Sequence, residues 1–132
     1  RPFIVGEISA QRAELAQQLI TIQDEQFKAM KPGVSAREVD AIVREGLLRK
    51  GLRADYPNIT GYALGLYTRT PRPSDFSCSF HAKAEWLLEE DMVFHMYTSA
   101  QSLAFSETVR VTPQGAERLT ILPRQLLSLP EH

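Results

Sequence analysis

The feature that most constrains the fold is Lys31-Pro32-Gly33, a tripeptide that separates two stretches of helical periodicity. Before it, Leu15, Leu19 and Ile22 share one stripe, and Ala16, Ile20, Phe27 and Met30 an adjacent one, so a helix from Ser9 to about Met30 has a broad face to bury. Ser9 can cap its first free amides, while Glu14 early and Lys28 late suit the helix dipole. After the Pro-Gly stop, Ser35-Ala36-Arg37-Glu38 has the spacing of a capping box, in which a hydroxyl and a carboxylate reciprocally satisfy amides at a helix start. Val39, Ile42, Val43, Gly46 and Leu47 continue at helical spacing to a stop at Gly51. Two helices joined by a tight turn are therefore expected, and the chain must then supply something for both apolar faces to rest on.

Beyond residue 52 the period shortens to that of strands. Ahead of the helices, residues 3–8 form a short apolar run that predicts the end of a strand. Ile59 to Tyr67 is strand-like, and its Gly61 and Gly65 mark places where a neighbour approaches the backbone closely. Thr68 to Asp75, with Pro71 and Pro73, predicts an irregular loop. Residues 92–98 and Leu103–Thr112 are strands by β-branched and aromatic content, joined by a short polar connection, and Pro113-Gln114-Gly115 is a turn. Leu119 to Leu129 predicts a tail whose leucines dock on the body. The fold class is α+β, one domain over residues 1–132, with two helices packed on a curved antiparallel sheet.

Alternation assigns the strand faces. Met92, Phe94 and Met96 are uniformly apolar and belong against the helices, which leaves Val93, His95 and Tyr97 on the other side. On the next strand Phe105, Glu107, Val109 and Val111 share the helix side, and Ala104, Ser106, Thr108 and Arg110 form a small and polar face. Glu107 is the exception on its side, and a salt bridge to a helix residue is its expected resolution unless a bulge re-aims it.

Composition removes several function classes. The net charge of −1, with basic residues scattered among acidic ones, offers no patch for nucleic acid or an anionic membrane. Cys78 is the single cysteine, which excludes an internal disulfide, and no run approaches the ~18 apolar residues of a spanning helix. The start at Arg1-Pro2-Phe3 has neither an initiator methionine nor a charged leader, as expected of a trimmed tag or a piece of a longer protein, and the expected location is cytoplasmic.

Five strings in one order carry a resemblance: Arg1-Pro2 through Gly6; Lys31-Pro32-Gly33-Val34 with Val39-Asp40; Thr60-Gly61-Tyr62-Ala63-Leu64-Gly65-Leu66; Leu88-Glu89-Glu90-Asp91-Met92-Val93-Phe94; and Thr108 through Thr120. Together they resemble the C-terminal half of the pita-bread fold of the creatinase, methionine aminopeptidase and prolidase superfamily. The resemblance implies two pseudo-symmetric halves closed around one site, and in the metal-dependent members a histidine and two glutamates from this half that help bind two divalent ions. Those ligands fall here on Tyr62, Tyr97 and Ser106. Phenols and a hydroxyl are poor ligands for such ions, so no metal and no cofactor is expected. Gly61-Tyr62, Phe94-His95-Met96 and Ser106-Glu107 are similar to the metal-free, ectoine hydrolase-like branch, which implies a metal-independent hydrolase of a C–N bond in a small molecule. The alternative is a pseudoenzyme that acts as a binding or dimerisation module.

His95 is the candidate for substrate contact or proton transfer, because an imidazole titrates near neutrality, unless it is only hydrogen-bonded within the sheet. Tyr62 and Tyr97 either line a pocket for a small polar substrate or fill the space of lost ligands. Ser106 has no neighbouring base to make it a nucleophile and is left as a contact. Arg110 can anchor a carboxylate bidentately or stay solvated, and His81 and Cys78 are expected to be structural. A lone half should be inactive and should cover its sheet face by homodimerising or by pairing with an N-terminal half.

Overall fold

The computed structural model describes residues 1–65 and 78–131. The expectations for Leu66, Tyr67 and the loop over 68–75 lie outside the described residues. The elements run β1 (Phe3–Val5), α1 (Ala10–Ala29), α2 (Ala36–Arg49), β2 (Gly61–Ala63), β3 (Ser79–Phe80), β4 (Val93–Ala100), β5 (Leu103–Thr112), β6 (Gly115–Arg118) and β7 (Leu127–Leu129). Strands β3-β2-β4-β5-β6 form one five-stranded sheet, antiparallel throughout, while β1 and β7 pair in parallel as a separate two-stranded ribbon.

The helix boundaries follow the sequence signals. Ser9 caps α1 by accepting the Arg12 amide through its side chain. Ser35 caps α2, but it accepts from Arg37 rather than from Glu38, one residue nearer than a capping box requires. Gly33 turns the chain with φ +84°, a conformation glycine adopts without a Cβ clash, and its amide donates to Leu88 at 2.7 Å.

Both helices bury their apolar faces on one side of the sheet. Phe27 of α1 and Met30 at its C-cap, with Ala36 and Val39 of α2, pack on Phe80, Phe94, Met96, Val109 and Val111. Leu15, Leu19, Ile22, Val43 and Leu47 pack on Tyr56, Ala100, Leu103 and Phe105. Each fully buried Phe or Leu here contributes roughly 1.5–3 kcal/mol. Residues of β4 alternate between half-buried and buried along the whole strand, as the period-two pattern requires. The β4–β5 connection is a two-residue loop in which Gln101 and Ser102 both have positive φ (49° and 69°), as a tight hairpin demands.

Two expectations change. Glu107 does lie on the helix side and is 1% exposed, but its partners come from the chain ends. Arg1 meets its carboxylate at 2.6 Å, Arg118 and Arg124 stand at 3.5 and 3.7 Å, and the Thr120 hydroxyl donates to it. Among the described residues, it connects to helix α1 through Arg124, whose guanidinium donates to Gln23 at 2.7 Å and pairs with Asp24. A long guanidinium stem from the returning tail fills the space that a helix side chain was expected to fill. The tail also docks differently. It is held by the β1–β7 ladder and by arginines, while Leu119, Leu122, Leu127 and Leu129 are exposed and Leu126 packs on the core.

Candidate functional site

The sheet face turned away from the helices carries the polar side chains singled out above. Register across β2, β4 and β5 brings them together: Tyr62 lies opposite His95, His95 opposite Thr108, and Tyr97 opposite Ser106. Residues in such cross-strand pairs are close enough for their side chains to interact directly. The Tyr62 hydroxyl lies 3.0 Å from Nδ1 of His95, with ring centroids 4.9 Å apart. Tyr97 also meets the imidazole, in a T-shaped contact with ring centroids 5.5 Å apart. A phenol, an imidazole and a second phenol thus stand in one row, with two small hydroxyls facing them from β5.

Gly61 makes this row possible. A Cβ at that position would come within 2.8 Å of the His95 carbonyl oxygen and closer still to the Met96 sulfur, so only glycine lets β2 lie this near to β4.

Burial sets the electrostatics of the row. It pulls the His95 pKa below its ordinary value, which favours neutral imidazole at pH 7, and it pushes the Tyr97 phenol up. The phenol of Tyr56 raises Tyr97 further, and the guanidiniums of Arg53 and Arg44 partly offset this. Nε2 of His95 is buried and has no hydrogen-bond partner among the described residues.

Arg110 shares the face but stands opposite Glu117 and next to Val93, at the far end from Tyr97. Its guanidinium is held by Asp91 at 2.6 Å and by Glu117 at 2.7 Å, bonds that raise its pKa with Glu117 the larger cause. A substrate carboxylate would have to compete with both. Ser106 is exposed, and its carbonyl accepts from Arg1. His81 lies apart, its Nδ1 accepting the Lys83 amide at 3.2 Å.

Three residues escaped the sequence reading. Arg53 and Arg44 lie over the ring of Tyr56, with guanidinium carbons 4.1 and 5.0 Å from its centroid. All three bear electrostatically on the Tyr97 phenol. Helical spacing makes Arg44 a partner for Asp40 four residues earlier, but nothing in the sequence reports that the loop carrying Arg53 and Tyr56 folds back over it.

The metal chemistry implied by the resemblance can be tested on these donors. Tyr62, Tyr97 and Ser106 do share a face. However, the Tyr62 hydroxyl is engaged with His95, burial disfavours the Tyr97 phenolate that ligation needs, and a serine hydroxyl is a weak neutral donor. Among the described residues, no three His, Cys, Asp or Glu side chains gather closely enough to hold an ion. This donor set does not fit a dimetal pair.

Comparison with known proteins places the fold. Residues 1–113 match the model of metallopeptidase family M24. The Xaa-Pro dipeptidase of Pyrococcus furiosus is 29% identical over 133 aligned residues, which cover 96% of this chain and 36% of that protein. The crystal structure of dipeptidase PepE from Mycobacterium ulcerans superposes with a TM-score of 0.80 at 25% identity, over 98% of this chain and 34% of that one. The N-terminal domain of the FACT complex subunit SPT16 from Eremothecium gossypii shares the fold, with a TM-score of 0.74 at 17% identity, over 96% of this chain and 32% of that one. The chain spans 36% of the length of the two Pyrococcus dipeptidases it matches. Its helix pair and five-stranded sheet match the C-terminal half of the pita-bread fold. No helix among the described residues is long and apolar enough to cross a membrane.

Proposed function

Since the chain belongs to metallopeptidase family M24, we propose that it supplies the C-terminal half of an active site for metal-independent hydrolysis of a C–N bond in a small polar molecule. The observation that carries this reading is the Tyr62–His95–Tyr97 row, which occupies the sheet face where the family resemblance implies metal ligands. Relatives named Xaa-Pro dipeptidase support the bond class. The ring and hydroxyl of Tyr97, with Ser106 and Thr108 opposite, suit a small polar substrate, and the imidazole of His95 is placed to contact it. Nearest in motif is the ectoine hydrolase-like branch, on the strength of Gly61-Tyr62, Phe94-His95-Met96 and Ser106-Glu107.

The reading makes this chain inactive alone, because one face of a cleft neither excludes water nor surrounds a substrate. Completion comes from an N-terminal half or from a second copy. The test is hydrolysis of dipeptides and small cyclic amides by the complete natural protein, before and after exhaustive chelation, with its metal content measured. Turnover that survives chelation at substoichiometric metal is expected. Activity abolished by chelation and restored by manganese, cobalt or zinc would overturn the proposal.

A second reading is a non-catalytic module for binding or dimerisation. The departure of all three ligand positions suits it equally. No turnover of any substrate by the complete protein, together with tight capture of a macromolecular partner, is its expected signature.

A further inference from the structure

We propose that Tyr62 is a positioning residue that fixes the tautomer of His95, so that His95 offers an Nε2–H hydrogen-bond donor to a carbonyl oxygen instead of a basic nitrogen. This deepens the hydrolase reading and rests on it for its chemical purpose, though not for its geometry.

The geometry begins with the sheet. Tyr62 and His95 are direct partners in the antiparallel β2–β4 ladder, and the absent side chain of Gly61 lets the two strands close. The Tyr62 oxygen then lies 3.0 Å from Nδ1, the ring nitrogen nearer the backbone. A phenol is a stronger acid than the N–H of a neutral imidazole, and an imine nitrogen is a better acceptor than a phenol oxygen. Between the two ways of sharing one proton, O–H donation to Nδ1 is favoured. A neutral imidazole has a single ring proton, so it then resides on Nε2. That nitrogen is buried without a partner among the described residues, which leaves its hydrogen-bonding capacity for a ligand. The surroundings do not oppose this. Tyr97 meets the ring edge-on, Thr108 lies across on β5, and no carboxylate pairs with His95 among the described residues.

The consequence is chemical. A neutral N–H donor in a site shielded from water polarises a carbonyl and stabilises the negative charge that develops on its oxygen as water adds. The substrate class is therefore one whose scissile C–N bond belongs to an amide or ureido carbonyl. The group that activates water must come from elsewhere, which matches a site completed by another half.

Histidine-selective 15N NMR of the full chain at neutral pH tests the assignment without substrate. For His95, an imine-type shift at Nδ1 and a proton-bearing shift at Nε2 are expected. In Tyr62→Phe, the ring proton should redistribute over the two nitrogens, so the Nδ1 resonance moves toward the proton-bearing range and that of Nε2 toward the imine range. A proton on Nδ1 of the unaltered protein would overturn the inference and make His95 a base. An unchanged Nδ1 shift in Tyr62→Phe would equally remove Tyr62 from the role. If Tyr62→Phe does not fold, the unaltered protein alone decides. These outcomes are independent of turnover, so failure here leaves the hydrolase reading to its own assay.

Discussion

Asp40 offers a sharp test of how the site is supported. It lies four residues before Arg44 on α2, and an exposed pair at that spacing stabilises by only about 0.3–0.5 kcal/mol. Here the Asp40 side chain is fully buried and that of Arg44 only 14% exposed. The guanidinium approaches the carboxylate in two places, at 2.7 and 3.0 Å, and also donates to the carbonyls of Tyr56 and Asn58. Asp40 further accepts the Thr60 hydroxyl at 2.6 Å. One carboxylate therefore holds both the α2–β2 loop and the residue preceding Gly61. Removing one partner of a buried pair strands the other charge, so Asp40→Ala should cost on the order of 3–5 kcal/mol. With a urea dependence of about 1.5 kcal/mol per molar, the unfolding midpoint should fall by roughly 2–3 M. The double variant Asp40→Leu with Arg44→Met removes both charges and should recover a large part of that loss. A loss below about 1 kcal/mol for Asp40→Ala would refute the reasoning, because the pair would then behave as an exposed one.

Gly61→Ala should cost about 1–3 kcal/mol, since the new Cβ meets the backbone oxygen of His95 at 2.8 Å and the backbone cannot yield as a side-chain tip can. An unchanged urea midpoint would mean β2 and β4 lie farther apart than described. Burial lowers the His95 pKa in the folded chain, so the unfolded chain binds the proton more readily as pH falls through about 6.5. The stability contribution of His95 is therefore full above that pH and declines between it and the lowered folded value. An NMR titration of the ring should give a midpoint below the ordinary one, and a midpoint at or above 6.5 counts against burial of this imidazole.

Much of this molecule is legible in the residues because its periods are local. The stripe from Leu15 to Met30, the stop at Pro32-Gly33 and the alternation of Val93-Phe94-His95-Met96-Tyr97 each follow from helix or strand geometry within a few positions. They assign Phe94 and Met96 to the core and His95 and Tyr97 to the opposite face. The Glu107 partners were not legible. Alternation puts its carboxylate inside, but Arg1 and Arg124 reach it from the two ends of the chain, a closure that no local pattern encodes. The docking of the tail escapes local patterns for the same reason: leucine content suggests burial, whereas a parallel ladder with β1 does the holding.

What the sequence determined by itself is the set of elements and the face each side chain takes, because both depend on backbone period and on which residues water rejects. The tertiary structure decided which side chains on that face meet. Strand register is a long-range choice, and sliding β2 by one residue would turn Tyr62 to the helix side and away from His95. The same choice gave the Tyr62 hydroxyl to His95 and committed the Arg110 guanidinium to Asp91 and Glu117.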